Sequence, residues 1–103
     1  LASQGFKYIC NMWHVYIIKC ADNTLYTGVT NDIFRRVNRH NARKGGSYTR
    51  TRTPVTLIHS EECPTYSVAL KREAQIKRWT KKKKFALIAG DTSHLHELSK
   101  SRD

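Results

Sequence analysis

Two short runs of β-branched and aromatic residues, separated by a few residues of turn chemistry, constrain this chain more than any other feature. Residues 13–20, Trp-His-Val-Tyr-Ile-Ile-Lys-Cys, and residues 24–29, Thr-Leu-Tyr-Thr-Gly-Val, read as strands. Asp22 and Asn23 favour a reversal between them. The length of that reversal decides which side chains share a face. A two-residue loop at Asp22-Asn23 sends Tyr16 and Tyr26 to opposite faces, because side chains alternate along a strand. A three-residue loop, Ala21-Asp22-Asn23, sets Tyr16 opposite Gly28 and Ile18 opposite Tyr26. Asn23 then takes the left-handed position of a bulged turn, which asparagine tolerates. In that register both tyrosines share one face, and glycine leaves room beside Tyr16. We expect the odd-length loop, although each tyrosine taken singly is an ordinary strand residue.

The remaining punctuation gives a strand, a strand, a helix, a strand and two helices. Asn31 is a good N-cap, and Asp32 suits the positive end of a helix over about 31–42. Gly45-Gly46 ends that region, and residues 43–54 read as a basic loop. Pro54 opens a strand over about 55–62, and Pro64 with Thr65 or Ser67 starts a helix over about 66–78. The lysine run 81–84 leads into a last helix that Gly90 stops. One domain is expected over 12–90, with 1–11 an upstream extension or cloning remnant and 91–103 a polar tail.

The chain has 103 residues, 39% of them hydrophobic, which suits one modest core and argues against general disorder. Nineteen Lys and Arg against eight Asp and Glu give a formal charge of +11, which favours a polyanionic partner, most often nucleic acid. Cys10, Cys20 and Cys63 are odd in number and form no C-x-x-C pair, so neither a disulfide framework nor a zinc ribbon is suggested. Reduced thiols and a cytoplasmic location are expected. No run approaches the ~18 apolar residues of a membrane span, and no membrane partner is expected.

Helical geometry sorts the first helix. Ile33, Phe34, Val37 and Asn41 form one stripe, with Arg36 and His40, at i and i+4, bordering it. Arg35 and Arg39 point further toward solvent. Arg36 can pack its stem and reach the sheet face, where its planar fork of donors suits phosphate oxygens. A rim arginine that only snorkels is the plainer alternative. On the second helix Tyr66, Ala69, Leu70, Ala74 and Ile76 define an apolar side, and Glu73 falls near its middle. A carboxylate there needs compensation, either an ion pair with Lys77 at i+4 or a bound metal with its waters. The stretch from Arg43 and Lys44 through Tyr48, Arg50 and Arg52 suits a phosphate-contacting loop in which Tyr48 stacks on a base. Lys81 and Lys82 are further candidate backbone contacts, though a charge run is usually just solvated. His94-x-His96 lies in the tail and is a poor metal site without further ligands.

These residues resemble the GIY-YIG nuclease superfamily over about residues 12–90, in its small stand-alone bacterial, UPF0213-like form. The first motif reads His14-Val15-Tyr16 in place of Gly-Ile-Tyr, and the second Tyr26-Thr27-Gly28 in place of Tyr-Ile-Gly. Arg36 and His40 match the spacing of the family's catalytic arginine and the following His or Tyr. Glu73 falls where the family's metal-binding glutamate is expected. The run Arg36-x-x-x-His40-Asn41, then Gly45-Gly46-x-Tyr48-Thr49-Arg50, is also similar to the nuclease domains of eukaryotic structure-selective endonucleases, and the domain as a whole to that of the UvrC repair protein. The resemblance implies an α/β fold, a small mainly antiparallel three-stranded sheet flanked by helices. It also implies a metal-dependent DNA endonuclease, in DNA repair or processing, that hydrolyses phosphodiesters with one divalent ion, Mg²⁺ or Mn²⁺, on Glu73. Arg36 would neutralise growing phosphate charge. Tyr16 or Tyr26 would be the general base, its pKa lowered from about 10 by Arg36 and the metal, with His40 hydrogen-bonded to it or assisting proton transfer. The substrate, single-stranded or branched DNA among others, is open, and a monomer is expected. A non-catalytic nucleic-acid-binding module, or an RNA- or ribosome-associated interaction domain, is the alternative.

Overall fold

A computed structural model describes residues 12–90. The expectations for 1–11 and for 91–103, His94 and His96 included, lie outside the described residues. Three strands, β1 (Trp13–Lys19), β2 (Leu25–Thr30) and β3 (Thr56–Cys63), form one antiparallel sheet in the order β2-β1-β3. Four helices accompany it: α1 (Ile33–Asn41), α2 (Ser47–Arg50), α3 (Tyr66–Lys77) and α4 (Lys81–Ala89). The expected order of elements is present, with α2 as one added turn inside the basic loop.

The hairpin has the odd-length loop. Tyr16 pairs with Gly28 and Ile18 with Tyr26, and Asn23 is left-handed at φ 68°. Asp22 secures the turn by accepting from the backbone N–H of Thr24 at 3.1 Å and its hydroxyl at 2.6 Å. Because β1 is central, Val15, Tyr16, Ile17 and Ile18 are all buried and alternate between two cores. Val15 and Ile17 join Cys63, Ala69 and Ile76, with Leu87 and Ile88 of α4 packed against them. Tyr16 and Ile18 join Cys20 and Val55, with Tyr26 and Val37 packed against them. Cys20 and Cys63 are buried free thiols.

Four local expectations are corrected. The N-cap of α1 is Asp32, whose carboxylate accepts from the Arg35 N–H at 3.1 Å, and not Asn31. Phe34 is 84% exposed instead of lining the core. It lies about 100° round the helix from Ile33, and burial of His40 turns the Ile33, Arg36, Val37 and His40 side inward instead. The inward side of α3 is narrower and more polar than expected: Ala69 and Ile76 are buried, Arg72 and Glu73 half-buried, and Tyr66, Leu70 and Ala74 exposed. Arg72 holds Glu61 of β3 through two hydrogen bonds of 2.8 and 3.0 Å, which occupies the space a larger apolar residue would need. The lysine run is divided. Lys83 is buried with its Nζ 4.2 Å from the centre of the Trp79 ring, whereas Lys81 and Lys82 are exposed. No helix among the described residues is long and apolar enough to cross a membrane.

Candidate active site

The site begins with the parity of β1. Tyr16 and Tyr26 lie on one face with ring centres 6.4 Å apart, and the His40 ring stands edge-on to both, at 6.0 and 5.4 Å. Gly28 is what admits the Tyr16 ring: a Cβ there would lie 2.5 Å from its hydroxyl oxygen. Gly45 does the same for His40, since a Cβ would collide with the imidazole.

A continuous polar chain runs through this core. Arg36 Nε donates to Tyr16 Oη at 3.3 Å, and Arg36 Nη2 to the Gly45 carbonyl at 3.3 Å. Tyr16 Oη lies 2.9 Å from His40 Nε2, and His40 Nδ1 lies 2.7 Å from Thr49 Oγ1. The network assigns the tautomer. Arg36 can only donate, so the acceptor left for the Tyr16 proton among the described residues is His40 Nε2. The imidazole proton is then on Nδ1 and is donated to Thr49 Oγ1. Tyr16, His40 and Thr49 are each no more than 1% exposed, so each of these bonds satisfies a group that water cannot reach.

Burial sets the protonation states. It pushes the Tyr16 hydroxyl above its ordinary value, and the opposing effect of Arg36 is too small to reverse this. Arg36 does lower the Tyr16 pKa, as expected, but by less than burial raises it. Burial, helped by the charges of Arg36 and Arg39, pulls His40 below its ordinary value. Tyr16 is thus a neutral phenol hydrogen-bonded to a neutral imidazole.

Arg36 also lines a cleft of about 250 Å³ with Arg35, Arg39, Thr30, Asn31 and Asp32. Three guanidinium-bearing residues there suit a phosphodiester. Arg35 and Arg39 are exposed as expected, but their place in the cleft was not foreseen; the Arg35-Arg36 and Arg39 spacing was the available signal. The sequence gives Thr49 no role, because its approach to His40 depends on the path of the loop.

The other expected site residues divide. Glu73 lies on α3, half-buried, its carboxylate 3.2 Å from Lys77 Nζ, which is the ion pair expected as one of two alternatives. It makes no hydrogen bond to the tyrosine cluster among the described residues, though its charge is near enough to raise the Tyr16 pKa. Those residues hold no group of three or more His, Cys, Asp or Glu suited to a metal. Tyr48 does not offer an open ring: it stacks on Tyr26 at 5.7 Å, and the Arg52 guanidinium lies 4.1 Å from its ring centre. Arg52 is further bound to Asp22 at 3.0 Å and to the Tyr48 carbonyl at 2.6 Å, so it ties the loop to the hairpin. Lys81 Nζ donates to the Asn23 carbonyl at 3.0 Å. Lys44 gives its carbonyl to Arg39 Nη2 at 3.1 Å. Arg43, Arg50 and Lys82 are exposed and form no ion pair among the described residues.

A family model described as the GIY-YIG catalytic domain matches residues 12–86. A UPF0213 protein of Haloquadratum walsbyi is 55% identical over 79 residues, covering 77% of this chain and 89% of the relative. One from Staphylococcus aureus is 50% identical over 74 residues, covering 72% and 90%. A solution structure of a UPF0213 protein from Bacillus halodurans shares 35% identity at a TM-score of 0.51, covering 78% of this chain and 85% of that one. A solution structure from E. faecalis shares 37% identity at a TM-score of 0.55, covering 82% and 88%. With the shared-face tyrosines, the helical arginine and histidine and the three-stranded sheet, these matches carry one conclusion: the chain belongs to the GIY-YIG family.

Proposed function

We propose that this protein is a metal-dependent endonuclease that hydrolyses DNA phosphodiester bonds. The observation that carries the reading is the buried chain from Arg36 through Tyr16 and His40 to Thr49, ending at an arginine-lined cleft. A phosphodiester in that cleft meets Arg36, with Arg35 and Arg39 beside it. As the guanidinium of Arg36 turns to the phosphate, the Tyr16 hydroxyl loses the donor that covers it and becomes reachable by water. Tyr16 then acts as general base. It takes a proton from the attacking water while passing its own to His40 Nε2, and the imidazolium so formed keeps its Nδ1 proton on Thr49. Arg36 stabilises the charge that accumulates on the phosphate oxygens. One observation supports Tyr16 over Tyr26 in this role, its hydrogen bond to the imidazole.

Glu73 is the residue that would hold the divalent ion. A single carboxylate fits Mg²⁺, which keeps several waters and takes its remaining ligands from phosphate. Once bound, such an ion supplies Lewis-acid stabilisation of the phosphate and leaving oxygen. Lys77 must release Glu73 for this, and its half-exposed side chain has room to do so. DNA contacts by Arg43, Arg50 and Lys82 are consistent with their exposure, and buried reduced thiols accord with a cytoplasmic location.

The test is cleavage of single-stranded, duplex and branched DNAs with Mg²⁺ or Mn²⁺, with and without chelator. Cleavage should require the metal. Glu73→Gln should abolish it while leaving DNA affinity within about threefold, since one uncharged amide removes only one long-range charge. Full activity in Glu73→Gln removes the metal role. Binding without cleavage on every substrate favours the non-catalytic module.

A further inference from the structure

We propose that a second cleft, next to the arginine cleft, binds a nucleobase of the substrate strand, with Phe34 as its stacking ring. This rests on the nucleic-acid reading of the site and adds to it a base-contacting subsite. The cleft measures about 380 Å³ and is lined by His14, Ile33, Phe34, Leu57 and Ser60, together with Asn31 and Asp32. Asn31 and Asp32 also line the arginine cleft, so the two are adjacent. One side of that shared wall presents guanidinium groups and the other presents apolar and aromatic surface. A nucleotide has the same division between its phosphate and its base.

Phe34 is the residue hardest to explain otherwise. It is 84% exposed, and no ring packs on it among the described residues. The inward turn of His40 and Arg36 fixes the rotation of α1 and holds Phe34 at the cleft. Leu57, 36% exposed on β3, is a second apolar wall. His14 stands where the family motif has glycine, and brings an imidazole to a place where the motif residue has no side chain. Its Nδ1 has no hydrogen-bond partner. Tyr48, expected to stack on a base, is 38% exposed but already engages Tyr26 and Arg52, whereas Phe34 has no ring or cation on it among the described residues and lies beside the phosphate cleft. A flat base on Phe34 is recognised by its π-face, so this subsite tolerates sequence and discriminates a strand with a base from one lacking it.

The test separates this subsite from catalysis. A short oligonucleotide carries 2-aminopurine at each position in turn, and binding is followed by fluorescence with chelator present, so no cleavage is required. Wild type should change the fluorescence at one or two adjacent positions. Phe34→Ala should lose that signal and bind about tenfold more weakly, within the range of a single base–aromatic stack, and Phe34→Tyr should restore both. An abasic residue at the responsive position should weaken wild type by the same factor and leave Phe34→Ala unchanged. Phe34 is exposed, so the variant should fold, which circular dichroism and thermal melting check. Equal binding of normal and abasic strands by wild type and Phe34→Ala overturns the subsite. So does a concentration-dependent dimer that Phe34→Ala dissociates, since a second copy then occupies the cleft. Loss of metal-dependent cleavage with the fluorescence response intact overturns the nuclease reading alone.

Discussion

Val15 and Tyr16 are neighbours in β1 and serve unlike surfaces. Val15 and Ile17 meet Cys63, Ala69 and Ile76, all 5% exposed or less. That core is stabilised by apolar area removed from water, at about 25 cal/mol per Å², and it tolerates changes that conserve volume. Tyr16 points the other way and carries a hydroxyl, an imidazole and a second hydroxyl into the interior as a hydrogen-bonded series. A buried polar chain of this kind contributes little when complete and costs a great deal when one member is lost. The apolar face therefore governs how stable the protein is. The polar face carries the proposed site, and is much less tolerant of displacement.

The largest contrast is in turnover. Arg36→Ala should lower it by about 10²–10³-fold, as expected for loss of a group that stabilises developing charge, with a smaller effect on affinity. Arg50→Ala should weaken binding about evenly across sequences and reduce the salt slope by roughly 1. Ile17→Val, on the apolar face, should leave turnover unchanged at a cost of about 0.5–1.5 kcal/mol. Binding and cleavage are measured on one oligonucleotide over a salt series. If saturating enzyme restores wild-type turnover in Arg36→Ala, then Arg36 only docks the strand and the functional half of the contrast is gone.

Next comes the glycine that admits the tyrosine. Gly28→Ala adds a methyl 2.5 Å from Tyr16 Oη, in a core with Arg36 and His40 on the far side. Overpacking of this sort costs about 1–3 kcal/mol, and here the displaced atom is the hydroxyl assigned to catalysis. Turnover should fall by more than the melting temperature suggests, whereas Ile17→Val should show the reverse. Parallel losses in both variants would mean that the hydroxyl position is not critical.

The pH dependence follows from the depressed pKa of His40. Burial, then Arg36 and Arg39, hold it below its ordinary 6.5 in the folded state. Between that folded value and 6.5 the unfolded chain binds the proton and the folded one does not. This contribution to stability is complete above about pH 6.5 and is lost as pH falls through the folded pKa. Turnover should fall only as pH drops through the folded pKa, at the lower end of that window, because a protonated His40 cannot accept from Tyr16. Glu61, whose burial is outweighed by Arg72 and His59, is also depressed, and its contribution is lost at lower pH, below its ordinary 4.5. Chemical denaturation followed from pH 8 down to about pH 2 should therefore show an upper loss from His40 and a lower one from the depressed carboxylates, and His40→Gln should remove only the upper one.

How much of this was legible in the sequence depends on the range of the interaction. The hairpin register follows from turn chemistry and strand parity, both local, and Tyr16 opposite Gly28 was readable from them. Arg36 with His40 and Glu73 with Lys77 follow from helical spacing. The failures are rotational or long-range. Phe34 was placed in the core because a periodic pattern does not reveal that a polar histidine will be the buried member of the helix. In the sequence Tyr48 and Arg52 suit contacts to a base and to phosphate, because nothing local says that the loop folds back to Tyr26 and Asp22. Thr49 reaches His40 for the same reason. Arg72 and Glu61 lie on different elements, and only the packing of α3 on β3 joins them.

The smallest effects give the most direct comparison of the two faces, because the same substitution can be made on each. Thr27 lies opposite Ile17 on the apolar face, 3% exposed, and its hydroxyl has no hydrogen-bond partner. Thr49 is 1% exposed on the polar face, and its hydroxyl accepts from His40. Thr27→Val removes a desolvated group that gains nothing from folding, and should stabilise the protein by about 1 kcal/mol. That corresponds to a rise in melting temperature of roughly 4–8 °C for a domain of this size. Thr49→Val leaves the Nδ1 proton of His40 without an acceptor and should destabilise by about 1–3 kcal/mol, with a fall in turnover as the imidazole loses its fixed tautomer. Thermal melts of the two variants decide the matter. Opposite signs are expected because one hydroxyl is an isolated polar group in an apolar core and the other ends a satisfied chain. Stabilisation by both would show that the His40 to Thr49 contact carries no net free energy, whereas destabilisation by both would show that the Thr27 hydroxyl is not the isolated liability assigned to it.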